Sequence, residues 1–220
     1  MKLEANNLGF FYTKDRWIFR SVSLSFSSGC RTALLGESGA GKTTLAKVLA
    51  AYEKPSEGAV QIDGTPFTGK KREYRSVQLI SQHPEKAINP RFRMKDVLAE
   101  CYGKTNIDTL LEKLGIEREW LNRYPGELSG GEQQRFCIAR ALCEQTRFII
   151  ADELSAMLDP VTQAQLWAVL LDECNRHNIG LIAITHDAAL AQKICNDFIN
   201  IESLFLYKST ADLPHFLTGE

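Results

Sequence analysis

The chain has 220 residues, 44% hydrophobic and 24% charged, with a net charge of -1 at pH 7. That length suits one large domain, or one domain carrying a smaller insert, with ample apolar content for a core. A near-neutral chain has no bulk attraction for nucleic acid or an anionic membrane surface, so neither is expected as a partner.

In chain order, residues 2–35 read as β-structure. Val22, Leu24 and Phe26 alternate with Ser21, Ser23 and Ser25, the period of a half-buried strand. After Ser28-Gly29, a short apolar run, Thr32-Ala33-Leu34-Leu35, leads into Gly36-Glu37-Ser38-Gly39-Ala40-Gly41-Lys42-Thr43, and Thr44 opens a helical pattern. This is a glycine-rich P-loop in its required setting of strand, loop and helix. The glycines let successive N–H groups converge on one anion, and the helix adds its positive end. Lys42 can reach the β- and γ-phosphates of a nucleoside triphosphate, and the Thr43 hydroxyl can complete a Mg²⁺ shell.

Pro55-Ser56-Glu57-Gly58 breaks the helix, and a strand over 59–63 ends at the hairpin-type turn Asp63-Gly64. Lys70-Lys71-Arg72-Glu73 reads as a solvated face or loop. Val77-Gln78-Leu79-Ile80 is a further strand, ending at Ser81-Gln82-His83-Pro84. Residues 95–123 turn helical, with Val97, Leu98 and Cys101, then Ile107, Leu110, Leu111 and Leu114. From Phe148 strands and helices alternate again: strand 148–151, helix 161–175, strand 181–185 and helix 188–195. In the first of these helices Val161, Ala164, Ala168 and Leu171 recur beside Trp167, Leu170 and Cys174, with Asp159 as N-cap and Pro160 in the first turn. The pattern is a mostly parallel α/β core interrupted by a helical insert. No apolar run approaches the ~20 residues of a membrane-spanning helix, and residues 1–6 lack the core of a secretory signal. Cys30, Cys101, Cys137, Cys143, Cys174 and Cys195 are scattered with no C-x-x-C pair, which reads as reduced, packed thiols.

A second motif, Leu128-Ser129-Gly130-Gly131-Glu132-Gln133-Gln134-Arg135, precedes a helix through Leu142. Ser129 and Glu132 have capping-box spacing. The two glycines need another reason: bare N–H groups and a serine hydroxyl at a helix N-terminus make a second anion site. One nucleotide cannot easily sit on both helix ends of one chain. A dimer in which each chain offers this surface to the other's γ-phosphate solves the geometry.

The P-loop combined with this motif resembles the signature pair of ABC-type ATPases, the nucleotide-binding subunits of ABC transporters, over nearly the whole chain. The resemblance implies an α/β P-loop NTPase (ABC ATPase) core with a mostly parallel sheet, an N-terminal antiparallel β subdomain and a helical insert. It implies one ABC ATPase domain over 1–220, with the core at 1–83 and 141–220 and the helical signature subdomain at 84–140. It also implies ATP and Mg²⁺, with Gly36, Glu37, Ser38, Gly39, Ala40, Gly41, Lys42, Thr43 and Thr44 around the phosphates. Ser129, Gly130 and Gly131 would face the partner's nucleotide, and Asp159 would cross the dimer interface in the D-loop. Asp152 matches a Mg²⁺ residue acting through water, alongside Thr43 and Gln82. Glu153 matches the general base, His186 the switch histidine on the γ-phosphate, and Gln82 the hinge glutamine. Tyr12 looks like the aromatic that stacks on adenine, with Phe11 as the alternative. Two departures stand out. Leu154-Ser155-Ala156 replaces the family's proline-containing stretch, and the run 198–207 lacks the glycine of a final β-turn.

Without a span of its own, a stand-alone cassette implies separate permease chains and leans toward a bacterial importer. Ser81-Gln82-His83-Pro84 and Ala87-Ile88-Asn89-Pro90-Arg91 resemble the oligopeptide and nickel importer branch, with His83 where that branch has Asp. That branch implies a second, usually different, ATPase subunit, two permeases and, indirectly, an extracytoplasmic solute-binding protein, at the cytoplasmic face of the membrane. A non-transport ABC ATPase of DNA repair or translation is the alternative, as is a subunit for another solute. The former usually needs two cassettes or a long coiled-coil insert.

Overall fold

The computed structural model describes residues 1–14, 16–68, 76–102, 107–154 and 159–204. The basic cluster at 70–73, residues 155–158 leading to Asp159, and residues 205–207 of the run 198–207 lie outside the described residues.

The N-terminal sequence forms an antiparallel sheet. β1 (Lys2–Thr13) pairs with β2 (Arg16–Ser27) on one side and β4 (Glu57–Ile62) on the other, and β5 (Thr65–Pro66) continues from β4. Val22 and Phe26 are buried while Ser21, Ser23 and Ser25 are exposed, so the alternation turns one face of β2 to the core. Asp63 and Gly64 both have positive φ, 48° and 76°, which matches the twist of a two-residue hairpin between β4 and β5.

The second sheet contains β3 (Arg31–Leu35), β6 (Val77–Ile80), β7 (Phe148–Asp152), β8 (Gly180–Ile184) and β9 (Asp197–Asn200), in the order β6-β7-β8-β3-β9 with every pairing parallel. β7 and β8 are buried along their whole length, as parallel strands covered on both faces must be. Their alternate side chains divide between two cores. Phe148, Ile150, Ile182 and Ile184 join Leu45, Val48 and Leu49 of α1 (Lys42–Leu49) and the inner face of the first sheet. Ile149, Ala151, Leu181 and Ala183 join the helical side of the molecule.

Among the described residues, every regular element between β6 and β7 is helical. These are α2 (Pro84–Ala87), α3 (Met94–Tyr102), α4 (Asp108–Lys113), 3-10 turns at Arg118–Asn122 and Pro125–Glu127, and α5 (Gly130–Ala141). The chain then adds α6 (Pro160–Arg176), α7 (Ala188–Ile194) and α8 (Ile201–Leu204). No described helix is long and apolar enough to cross a membrane.

The helical reading of 161–175 holds, and the structure buries only part of the apolar set named there. Leu166, Trp167, Leu170 and Cys174 are buried, whereas Val161 is 66% exposed and Ala164 and Ala168 are also exposed. The stripe of larger side chains wins because it removes more apolar area from water than valine and alanine can. Cys137, Cys143, Cys174 and Cys195 are buried, and none of the six cysteines is in a disulfide. Burial pushes the Cys137 and Cys195 thiols up to about 11 and Cys174 to about 12, so they behave as inert packing groups.

Gly180 opens β8 directly opposite Phe148 of β7. A Cβ there would come within 2.5 Å of the Phe148 ring and 2.8 Å of the Ser27 carbonyl, and Phe148 is fully buried and cannot swing away. Gly180→Ala should therefore lower stability by about 1–3 kcal/mol, the range of an overpacked core. Urea unfolding checks this, and an unchanged midpoint would contradict it.

Candidate functional site

The site is built on the carboxyl ends of four parallel strands. Leu34 of β3 and Asp152 of β7 both lie opposite Ile184 of β8, so these three strands finish at one level. In open α/β sheets this edge, where connections diverge to opposite faces, is where ligands bind.

The P-loop leaves β3 there. Gly39 and Gly41 hold φ of 83° and 96°, in the left-handed region. A Cβ at Gly39 would meet nothing within 4 Å, so that position demands glycine for its backbone rather than for space. Gly41 is the N-cap of α1, and no side chain caps the helix. Its first-turn N–H groups are left for an outside acceptor. The loop closes around Lys42, which is buried and whose Nζ donates to the carbonyls of Gly36 (2.7 Å) and Glu37 (2.8 Å). The Ala40 N–H also donates to Glu37 O, at 3.2 Å. A cavity of about 460 Å³ opens over the loop, lined by Ser38, Gly39, Gly41, Lys42, Thr43 and Thr44 together with Ile18, Gln82 and Glu153.

Two carboxylates finish β7. Asp152 is buried and hydrogen-bonded to the Thr43 side chain; burial pushes its carboxyl pKa up, partly offset by Thr43 and by the charge of Lys42. Glu153 follows in the left-handed region at φ 47°, unusual for a side chain of this kind, and its N–H donates to Ile184 O at 3.0 Å. Such backbone strain collects at functional sites, where the surrounding structure holds it in place. It turns Glu153 toward His186, just past β8, with Oε1 and Nδ1 3.1 Å apart. The pair combines a carboxylate side chain that is 18% exposed with an imidazole that is 60% exposed. Beyond it, Asp187 caps α7 by accepting from the N–H groups of Ala189 and Leu190.

Gln82 comes from the end of β6. The neighbouring Ser81 carbonyl accepts from Gln134 Nε2 of α5 at 3.4 Å, tying this strand end to the helical segment. Of the two candidate aromatics, Tyr12 reaches the P-loop helix, with its hydroxyl 3.4 Å from Thr44 Oγ1 and its ring 59% exposed. Phe11 packs edge-on against Trp17 instead, at 4.9 Å. Ile18 lines the cavity although nothing in its local sequence marks it; its role comes from β2 folding back along β1.

The second motif stands apart. Ser129 Oγ accepts from the Glu132 N–H at 3.3 Å and Glu132 Oε2 accepts from the Ser129 N–H at 2.6 Å, the expected capping box. Beneath it, buried Gln133 donates to the carbonyls of Pro125 (2.9 Å) and Leu128 (3.1 Å), and Arg135 donates to that of Leu114. The outer half is open: Ser129 and Gly130 are exposed, and a Cβ on Gly130 would meet nothing within 4 Å. This chain's own packing therefore does not require the glycine. Neither Ser129, Gly130 and Gly131 nor Asp159, which caps α6 by accepting from the N–H groups of Val161 and Thr162, lines the P-loop cavity.

Because Asp152 holds a raised pKa when folded, its ionised form costs stability. That cost is absent below the unfolded carboxylate range and grows as pH rises through the folded value. Asp152→Asn, which keeps an acceptor for Thr43, should raise Tm by a few degrees at neutral pH, with the gain shrinking in acid. Thermal melts across pH check this; a lower Tm at neutral pH would contradict it.

The ABC transporter family model matches residues 19–156. Among curated relatives, the metal-staphylopine import system ATP-binding protein CntF of Staphylococcus aureus is 32% identical over 192 residues, covering 83% of this chain and 77% of that protein. The nickel import ATP-binding protein NikE of Brucella suis is 36% identical over 191 residues, covering 80% and 72%. Among solved structures, an ATP-binding subunit of an ABC transporter superposes with a TM-score of 0.77 at 25% identity, covering 91% of this chain and 85% of that one. With the P-loop, the capping-box motif and the paired strand-end carboxylates in one fold, the chain belongs to the ABC transporter family, among its ATP-binding subunits.

Proposed function

We propose that the chain is the ATP-hydrolysing subunit of an ABC importer at the cytoplasmic face of the cell membrane, carrying a peptide, nickel or a metal–chelator complex. In this reading it pairs with a second ATPase subunit beneath two membrane permeases, fed by an extracytoplasmic solute-binding protein. Support for the solute class comes from the run Ala87-Ile88-Asn89-Pro90-Arg91 after Gln82 and from relatives named for metal-staphylopine and nickel import. The observation that carries the reading is one cavity shared by the P-loop, Gln82 and Glu153, with His186 3.1 Å from Glu153.

ATP is the substrate. The uncapped start of α1 and the Lys42 ammonium bind its phosphates, and Tyr12 stacks on the base. Thr43, Asp152 and Gln82 supply the hard oxygen donors that suit Mg²⁺, and the buried Asp152 carboxylate calls for a cation. When bound, that ion neutralises charge on the β- and γ-phosphates. Water attacks the γ-phosphorus as its bond to the bridging oxygen breaks and ADP leaves, while Glu153 accepts the water's proton. His186 holds the Glu153 carboxylate in place and presents its other ring nitrogen to the γ-phosphate. Because Ser129, Gly130 and Gly131 do not line this chain's cavity, a second chain supplies them, with Asp159 at the seam. The 84–140 segment, tied to the Gln82 strand end through Gln134, passes closure on to the permease.

Glu153→Gln should retain ATP binding, lower kcat by about 10²–10⁴-fold and accumulate an ATP-dependent dimer. ATPase assays and light scattering check this, and turnover near wild type would remove Glu153 as the base. Adding Ser129→Arg to that variant should leave ATP binding by the monomer intact and abolish the dimer. A dimer that persists would take the second motif out of the interface.

A further inference from the structure

The P-loop makes one long-range contact that its own motif does not call for. The N–H of Glu37 donates to Glu202 Oε1 at 2.8 Å, across 165 positions of sequence. The carbonyl of the same peptide unit, Gly36 O, accepts from Lys42 Nζ at 2.7 Å. A single peptide plane is thus held between an ammonium on its oxygen and a carboxylate on its N–H. Bonds with one ionised partner are shorter and stronger than neutral ones. Two of them on opposite edges of one plane set its rotation.

Glu202 is itself well anchored. The side chain of Ile201, beside it, is fully buried and lies against the loop, since a Cβ on Gly36 would sit 3.0 Å from Ile201 Cγ1. The Glu202 N–H donates to Asn200 Oδ1 at 2.9 Å, and Ser203 Oγ donates to Asn200 O at 2.6 Å. The segment after β9 is therefore fixed before its carboxylate meets the loop. Lys42 gives two of its three N–H bonds to loop carbonyls, Gly36 and Glu37, and the third remains for a ligand. The direction of that third bond depends on where the Gly36 carbonyl points.

We propose that Glu202 is a positioning residue of the nucleotide site: its carboxylate fixes the Gly36–Glu37 peptide, which in turn holds Lys42 ready for the triphosphate. The segment after β9 thereby becomes part of the phosphate cradle. Without the carboxylate, the peptide loses one of its two restraints and ATP must order the lysine on binding, which weakens affinity. This rests on the loop being the ATP site.

Isothermal titration of the full chain with MgATP tests it. Glu202→Ala should weaken ATP binding about three- to tenfold, the effect of one net hydrogen bond. Glu202→Gln, whose amide oxygen can still accept from Glu37, should restore affinity to within about twofold of wild type. Glu202→Asp, charged but too short to reach, should match the alanine variant, and it decides the matter should that variant not fold. In a Lys42→Ala background, Glu202→Ala should change affinity by less than about twofold, because the two act as one unit. Wild-type affinity in both Glu202→Ala and Glu202→Asp, or a glutamine variant as weak as aspartate, would overturn the inference while leaving the loop as the ATP site. Failure of the wild-type chain to bind ATP would overturn both.

Discussion

The catalytic edge depends on the parallel register of β3, β7 and β8. Ile184 lies opposite both Leu34 and Asp152, and its carbonyl also accepts from the Glu153 N–H. That alignment brings the P-loop and Glu153 to one cavity, with Asp152 bonded to Thr43 behind it and His186 3.1 Å from Glu153. A slip of one residue in β7 would turn Asp152 and Glu153 to opposite faces and exchange its two sets of core side chains. Burial on both faces opposes the slip: Phe148 and Ile150 fill one core while Ile149 and Ala151 fill the other. Packing that looks purely structural is what fixes the chemistry.

Much of this was legible in the sequence because it is local. The P-loop lies within eight consecutive residues, the capping box spans four, and the β7 strand announces itself as an apolar run ending in two acids. The less legible features depend on distant partners. Ile18 reaches the cavity only because β2 returns along β1, and Glu202 meets the loop only because β9, 165 positions further along the chain, pairs directly beside β3. The left-handed backbone of Glu153 is set by the Ile184 carbonyl and carries no signature of its own. In α6 the period was legible but the choice of buried face was not, because spacing alone cannot weigh Trp167 and Leu170 against Val161 and Ala164.

The site also shows where stability gives way to function. Asp152 keeps a carboxylate in a buried place that disfavours its charge, and Glu153 occupies strained backbone. Lys42 keeps its ammonium buried, held by the loop's own carbonyls. In the proposed reading, a bound triphosphate with its metal offsets the cost at Asp152. In the second motif, Ser129 and Gly130 are exposed beside a capped helix start, and packing within the chain does not require the glycine. In the proposed reading, the P-loop of one chain and this surface of another complete the active site by association.

The concentration dependence of ATP hydrolysis tests this most directly. If the site is completed by a second chain, the rate per chain must rise with concentration while dimers are scarce and level off once they dominate. A rate per chain that stays constant over about a hundredfold dilution, with the protein monomeric by sedimentation throughout, would contradict the account.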